Sequence, residues 1–373
     1  MMSVRRAYGA LLALMLALAC IVAACEGTGN GGAGDAAQPS SSSSAVADSG
    51  GGLAPEQSGD GRKIQIGFSM DSLNEERWQK DRDLFKQAAE ALGAEVSVMS
   101  ANGDDAKQIE QAETLIGQGV DILVVIPHDA EAMAAIVKKA HSSGIKVMSY
   151  DRLIKNADID LYVSFDNEKV GELQAQAITK LVPKGKYVYI GGADTDNNAH
   201  LVKKGVFNVL QPLIDKGDIT VVYDQWTKDW TPANALANVK AALEANGNRI
   251  DAVIAANDAT AGSVIQALAE QGLAGRIPVA GQDAELAGVQ RIVEGTQTMT
   301  VYKPIQALAD KAAELAVGLA KGERAVADRK INNGKVEVPS VLLPPIAVDR
   351  SNIDETIIAD GFHTREDVYR AGE

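Results

Sequence analysis

Residues 121–152 read DILVVIPHDAEAMAAIVKKAHSSGIKVMSYDR. Asp121 to Ile126 is an apolar run of strand length, and Pro127 turns the chain out of it. Ala130 to His141 has helical spacing, Gly144 ends that helix, and Ile145 to Tyr150 is a second strand. A near-continuous apolar strand followed by a helix and another strand is the pattern of a parallel sheet covered by helices on both faces. The unit closes on Asp151 and Arg152, two charged residues where a buried strand ends.

The same rhythm extends both ways. Upstream, Lys63 to Phe68 reads as a strand, Trp78 to Leu92 as a helix, Glu95 to Met99 as a strand and Ala106 to Gly117 as a helix. Leu161 to Phe165 follows as a short strand. A second series begins near Glu168. Its helices are Lys169 to Val182, Ala199 to Leu210 (closed by Pro212), Thr231 to Ala245 and Ala259 to Gln271. Its strands are Tyr187 to Ile190, Ile219 to Tyr223, Ile250 to Ile254 and Pro278 to Gly281. The fold class is therefore α/β, with parallel sheets in two similar lobes. A further helix at Ile305 to Ala320 and the weakly periodic stretch 343–359 are expected to return and complete the lobes.

The 373 residues carry a formal net charge of -14, or -14 - 2 = -16 without the first 24 residues, which hold Arg5 and Arg6. Such an acidic chain is a poor binder of nucleic-acid backbones. Its two cysteines are Cys20 and Cys25, so the body has no disulfide framework, thiolate chemistry or cysteine–zinc site.

Arg5 and Arg6 precede the uncharged run ALLALMLALACIVAA at 10–24. That run is short for a membrane span and suits an export signal. Val22-Ala23-Ala24-Cys25 resembles the bacterial lipobox, in which the cysteine is lipidated and becomes the new terminus. Residues 26–61 are mostly glycine, serine, alanine and acid, a composition with too little to bury and expected to act as a tether. The expectation is a signal peptide at 1–24, lipidated Cys25 with a tether to residue 61, and a globular body from 62, held outside the cytoplasm on a membrane.

In open α/β sheets, ligands bind beyond the carboxyl ends of the strands. Those positions here hold Asp71, Arg77 and Trp78, then Asp151 and Arg152, then Asp194, Asp196 and Asn198. Trp226, Trp230, Asn257, Asp258, Gln282, Asp283 and Lys303 follow the later strands. Carboxylates accept, guanidinium and ammonium groups donate, and amides do both, while indole rings cover flat C–H faces. This set suits a polyhydroxylated ligand such as a sugar. Bland roles exist beside it. Arg77 can pair with Glu75, Glu76 or Asp81 on a helix surface; Asp151 and Arg152 can pair locally; Trp226 can be core. Asn257 or Asp258 can cap the helix at Ala259, with Asp258 preferred. Catalysis has little support, since no Gly-x-Gly-x-x-Gly, phosphate loop, His-Glu-x-x-His or Gly-x-Ser-x-Gly is present. No metal or cofactor is expected.

The stretches ERWQKDRDLF, SANGDDAKQIEQ, VVIPHDAEAM, YDRLIKNADID, SFDNEKVGELQA, ANDATAGSVIQAL, GQDAELAGVQRI and GTQTMTVYKPI lie between 76 and 305. They resemble the type I periplasmic sugar-binding family of bacterial ABC import systems. The combination of YDR and NDA with DNN and VYKP points to its xylose-binding branch. The resemblance runs from about Lys63 to His363. It implies two Rossmann-like lobes joined by a three-segment hinge and a non-enzymatic protein, expected to be monomeric, that delivers a monosaccharide to a membrane permease. Carried over by motif, the hydrogen-bonding residues are Arg77, Asp151, Arg152, Asp196, Asn198, Asn257, Asp283 and Lys303. Trp78 and Trp230 are the aromatic walls. Crossings are expected near 167, 303 and 333, giving lobe one as 62–167 plus 304–332 and lobe two as 168–303 plus 333–368. D-xylose is the expected ligand; glucose, ribose and arabinose remain open, as does a role as a sugar receptor for a sensory system.

Overall fold

The computed structural model describes residues 62–370; the expected signal segment, Cys25 and the tether lie outside the described residues. The chain first builds β1 (Gln65–Met70), α1 (Glu76–Ala91), β2 (Glu95–Ser100), α2 (Asp105–Gly117), β3 (Ile122–Val125), α3 (Ala134–Ser142), β4 (Lys146–Tyr150) and β5 (Leu161–Phe165). It then builds α4 (Asn167–Leu181), β6 (Gly185–Ile190), α5 (Asn197–Asp215), β7 (Ile219–Gln225), α6 (Pro232–Ala245), β8 (Ala252–Ala255), α7 (Asp258–Glu270), β9 (Val279–Ala280), α8 (Leu286–Glu294) and β10 (Met299–Tyr302). The remainder is α9 (Ile305–Ala320), β11 (Arg329–Asn332), β12 (Glu337–Leu343), β13 (Ile346–Asp349) and the single turn α10 (Arg365–Val368).

Two sheets result. The first has the order β11-β12-β5-β4-β3-β1-β2 and the second β13-β10-β9-β8-β6-β7. Pairing is parallel except for β11 with β12 and β10 with β13. The inner strands of both sheets are buried on both faces, which is why β3, β5, β8 and β10 lack polar alternation. In β3, Ile122 and Val124 pack with Phe68, Phe85 and Met148, while Leu123 and Val125 pack with Met133, Val137 and Val147 on the other face. Each such side chain contributes about 1.5–3 kcal/mol when fully buried. In β8, Ala252 and Ile254 face one cluster and Val253 and Ala255 the other.

The chain starts each sheet inside it. β1 lies between β2 and β3, and β6 between β7 and β8. These are the switch points at whose carboxyl ends a crevice forms. Helices α4 and α5 cross at paired glycines, since a Cβ on Gly171 would stand 1.9 Å from the Val202 carbonyl oxygen and one on Gly205 1.9 Å from that of Glu168. The crossing holds the start of α5, where Asp196 and Asn198 sit. Pro212 lies inside α5 rather than closing it. In the last turn its missing N–H forfeits a single ladder bond, and the helix runs on to Asp215.

The chain passes between sheets after β5, after β10 and after β12. The first passage is at Asp166, whose Oδ1 accepts the Lys169 N–H (3.0 Å) and caps α4. The second is at Lys303–Pro304, and α9 then packs Leu308, Ala312 and Ala316 against the first sheet. The third differs from the expectation near 333. β11 and β12 are a hairpin of the first sheet, so the passage falls at Pro344–Pro345. The reason is Asn333, buried in the hairpin turn, whose Nδ2 donates to the carbonyls of Ile154 (3.1 Å) and Ala157 (2.6 Å). That side chain ties the turn to lobe one, which therefore extends to 343.

At α7 the cap is Asn257, not Asp258. Asn257 is extended and its Oδ1 accepts the Thr260 N–H (2.9 Å). Asp258 already lies in the first turn, with its carboxylate directed inward. It accepts from Gln297 Nε2 (2.6 Å), Thr300 Oγ1 (2.9 Å) and the Glu285 N–H (3.0 Å). Burial pushes the Asp258 carboxyl up to about 7 despite these donors. An unfolded aspartate titrates near about 3.9, so between these values the folded chain holds a proton that the unfolded chain has released. Stability from this group is therefore fully present below the unfolded value and is lost as pH rises through about 7. Asp258→Asn removes this dependence. Urea denaturation of both proteins from about pH 4 to about pH 7 should show the wild type losing stability relative to the variant, by at most about 1.4 kcal/mol per pH unit. A difference that stays flat contradicts the assignment.

Candidate functional site

Asp151 follows β4 with a left-handed backbone (φ 59). Its carbonyl accepts from Tyr162 Oη (3.0 Å), Ser164 Oγ (2.5 Å) and Asn198 Nδ2 (3.0 Å), which hold the turn in that sparsely populated region. Trp230, after β7, is also left-handed (φ 54), an outlier for a bulky residue. The turn lays its indole on the backbone of Gly192, where a Cβ would stand 2.1 Å from the ring. Asp283, after β9, is left-handed too (φ 88). Three site residues thus sit on turns whose geometry their surroundings enforce.

Every cleft residue expected from the sequence lines one cavity between the lobes: Arg77, Trp78, Asp151 and Arg152 from the first, and Asp196, Asn198, Trp230, Asn257, Asp283 and Lys303 from the second or its exit. Its volume is about 20 Å³, roughly the room for one water. The charged side chains pair with one another. Arg77 reaches Asp81 (3.1 Å) and Asp151 (2.7 Å) in its own lobe, and Asp283 (3.3 Å) across the gap. Lys303 also meets Asp283 (2.6 Å). Arg152 joins Asp71 (2.7 Å) to Asp196 (2.9 Å) across the gap. Asp151 and Arg152 therefore pair outward and not with each other. Of the three acidic neighbours open to Arg77 by spacing, it takes Asp81, in the interior rather than on the surface.

These groups are at most 8 % exposed, so burial and pairing together set their titration. Burial opposes the charge on Arg152, but Asp196 and Asp71 outweigh it and raise its pKa. Arg77 is raised likewise, with Asp151 and Asp81 prevailing over burial. Burial works against the Asp151 carboxylate, yet Arg77 and Lys303 hold it below the usual range. Asp196 goes the other way, because burial outweighs Arg152. Asp71 stays low against burial because His128 (2.9 Å) and Arg152 both face it, and the same contact raises His128.

The aromatic residues complete the walls. The Arg77 guanidinium lies 4.2 Å from the Trp78 ring centre and that of Arg152 5.1 Å. Trp230 Nε1 donates to Asp196 (3.2 Å). Trp226 is not a wall; its ring packs tilted against His200 (4.8 Å between centres) beside Lys203. Two buried polar atoms in the lining find no protein partner, Trp78 Nε1 and Gln282 Oε1. A ligand with both donors and acceptors would satisfy them.

Two lining residues were not expected, Glu75 and Asn167, and a third, Gln282, was named at a strand end without being carried over as a sugar contact. Gln282 was legible as the neighbour of Asp283 at a strand end. Asn167 sits at the first passage, where its Nδ2 donates to Ser164 Oγ (3.3 Å) and the Phe165 carbonyl (3.2 Å). Glu75 precedes α1 among charged residues, a context that reads as solvated.

The lobes also touch outside the cavity. Lys80 on α1 donates to the Phe362 carbonyl (2.9 Å) and stands 3.8 Å from that ring's centre. Glu76 accepts the Leu286 N–H (3.0 Å) at the start of α8. Elsewhere, the Ala130 N–H donates to the Thr195 carbonyl (3.1 Å).

Residues 66–324 match the family model of the periplasmic binding protein domain. The chain is 56 % identical over 308 residues to a D-xylose-binding periplasmic protein of Haemophilus influenzae, covering 83 % of this chain and 93 % of the relative. It is 54 % identical over 307 residues to the D-xylose-binding periplasmic protein of Escherichia coli, covering 82 % and 93 %. A carbohydrate transporter solute-binding protein of Chloroflexus aurantiacus, solved in complex with D-glucose, superposes with a TM-score of 0.77 at 32 % identity, covering 82 % of this chain and 98 % of that one. Two parallel sheets with a charged, indole-walled cavity between them, in a chain this close to such relatives, lead to one assignment: this chain belongs to the extracytoplasmic periplasmic sugar-binding family that includes the D-xylose-binding periplasmic proteins.

Proposed function

We propose that this chain captures D-xylose between its lobes and delivers it unchanged to an ABC permease, acting as a monomer held to the membrane through a lipid on Cys25. The observation that carries the reading is the inter-lobe cavity, in which buried carboxylates, guanidinium groups, amides and two indoles converge from both lobes. The identity to D-xylose-binding periplasmic proteins supports the choice of sugar. The Val22-Ala23-Ala24-Cys25 motif and the polar stretch after it support the anchor.

The chemistry follows from the pairings. In an apolar cavity, sugar hydroxyls would leave their water bonds without replacement; here each finds a charged or amide partner, and charge-assisted bonds are the stronger kind. Asp151 and Arg152 hold hydroxyls from lobe one, with Arg77 and Trp78 as the rest of that wall. Asp196, Asn198, Asn257 and Asp283 reach from lobe two, Trp230 covers the ring face, and Lys303 acts at the second passage. The cross-lobe pairs Arg77–Asp283 (3.3 Å) and Arg152–Asp196 (2.9 Å) are in direct contact, so a sugar bound between the lobes would exchange these cross-lobe bonds for bonds to its own hydroxyls. A ligand contacting both lobes favours the closed arrangement by its differential affinity for it.

The test is calorimetric titration of the full chain with D-xylose, D-glucose, D-ribose and L-arabinose. Saturable binding with D-xylose tightest is expected, and no binding to any of them overturns the reading. The contacts outside the cavity should tune the affinity. Lys80→Ala removes a cation–π contact and a hydrogen bond that join the lobes without touching the cavity. The dissociation constant for D-xylose should rise by about three- to tenfold, at an unchanged number of sites, since the two contacts contribute about 1 kcal/mol together. An unchanged constant contradicts a closing role for Lys80.

A further inference from the structure

The cavity between the lobes adjoins a second, larger one of about 580 Å³. Glu75 and Trp230 line both. Glu75 comes from lobe one, just before α1, and Trp230 from lobe two, just after β7. The two form a partition with one residue from each lobe.

The members of the partition differ in how they are held. Trp230 is fixed by Gly192 and Asp196. Among the described residues, the Glu75 carboxylate makes no hydrogen bond; Arg152 is its nearest cation, at 4.0 Å, and the side chain is 18 % exposed. Burial pushes its carboxyl up to about 7, with Arg152 opposing. Arg77, Arg152, Asp283 and Lys303, elsewhere in the wall, are each committed to an ion pair at 3.3 Å or less. Glu75 is thus the lining carboxylate held least tightly, its one ion pair being the 4.0 Å contact with Arg152, and like Trp230 it has open volume behind it.

A hexopyranose differs from the matching pentopyranose by one hydroxymethyl group on the ring. The solved relative that holds D-glucose shares this fold, so the fold alone does not exclude that group. We infer that Glu75 is the size-determining residue of the sugar site: its side chain closes the inner cavity against a ring substituent, and trimming it opens a way for a hexose hydroxymethyl group into the outer cavity. This rests on the proposed sugar-binding function and adds the residue that sets the ring size.

The experiment is titration of the full chain and of its Glu75→Ala, Glu75→Ser and Glu75→Gln variants with D-xylose and D-glucose, with thermal melts to establish folding. Glu75→Gln keeps the volume and removes the charge. The glucose-to-xylose affinity ratio should rise by about tenfold or more in the alanine and serine variants, the low end of what one carbon's worth of steric fit gives. It should stay within about threefold of wild type in the glutamine variant. Serine serves if alanine does not fold, and failure of both to fold would overturn the premise that Glu75 is held loosely. An unchanged ratio in a folded, xylose-binding alanine or serine variant overturns the inference and leaves the sugar-binding function intact. An equal rise in the glutamine variant overturns it as well, since charge and not volume would then discriminate. Wild-type protein that binds neither sugar overturns the function itself.

Discussion

Arg77→Ala is expected to abolish saturable sugar binding and to cost about 3–5 kcal/mol of folding stability near neutral pH, the usual penalty for removing one partner of a buried ion pair. Arg77 is 3 % exposed and is shared by Asp81, Asp151 and Asp283, each at most 5 % exposed. The variant leaves Asp81 and Asp151 buried without a guanidinium, and Asp283 with Lys303 alone. Protonation would relieve the unpaired carboxylates. Burial already pushes the Asp81 carboxyl up to about 6 against Arg77, and without the guanidinium it rises further, so the variant's added penalty is present at high pH and is relieved as pH falls through about 6. The destabilisation should therefore be larger at about pH 8 than at about pH 4, which urea denaturation at the two values measures. Arg77→Lys should recover only part, because an ammonium group is a point charge without the planar fork that serves three carboxylates. A loss below about 1 kcal/mol at about pH 8 would contradict the network.

Arg152→Ala is expected to weaken D-xylose binding by about a hundredfold or more, since truncating a buried hydrogen-bonded charge partner costs about 2–5 kcal/mol. Its guanidinium joins Asp71 of lobe one to Asp196 of lobe two. Asp196 is also the partner of Trp230 Nε1 and caps α5 through the Asn198 N–H (2.9 Å). Loss of Arg152 thus frees a carboxylate that orients the indole covering the ring, in addition to removing a direct donor. Asp71→Asn, which keeps the shape beneath Arg152 and removes one charge, should lose less. Calorimetry on both variants checks this; an Arg152→Ala affinity within about threefold of wild type would contradict the role given to the residue.

These residues were legible for a simple reason. Arg152 and Asp151 follow an apolar strand that ends at Tyr150, and a buried strand that stops on charge marks a sheet edge where ligands bind. Asp196, Asn257 and Asp283 carried the same signal. Which charges pair was not legible. Arg77 and Asp283 are 206 positions apart, and spacing reports only neighbours such as Asp81, one helical turn away. Glu75 escaped for the converse reason, because beside Glu76 and Asp81 it reads as a surface partner for Arg77 until the second lobe closes over it. The passage placed near 333 from the resemblance falls after Leu343 instead, because Asn332-Asn333-Gly334 is the tip of a hairpin whose buried amide anchors it to lobe one. Asn257 outranked Asp258 as a cap through inward bonds from Gln297 and Thr300, residues of distant elements. What local chemistry decides could be read from the chain; what depends on the closing of two lobes could not.

The most direct test is a crystal structure of the full chain grown with D-xylose. The sugar is expected between the lobes, with Arg77, Asp151 and Arg152 on one side, Asp196, Asn198, Asn257 and Asp283 on the other, and Trp230 against the ring face. A sugar seated in the outer cavity beyond Glu75, or held by one lobe alone, would contradict the account.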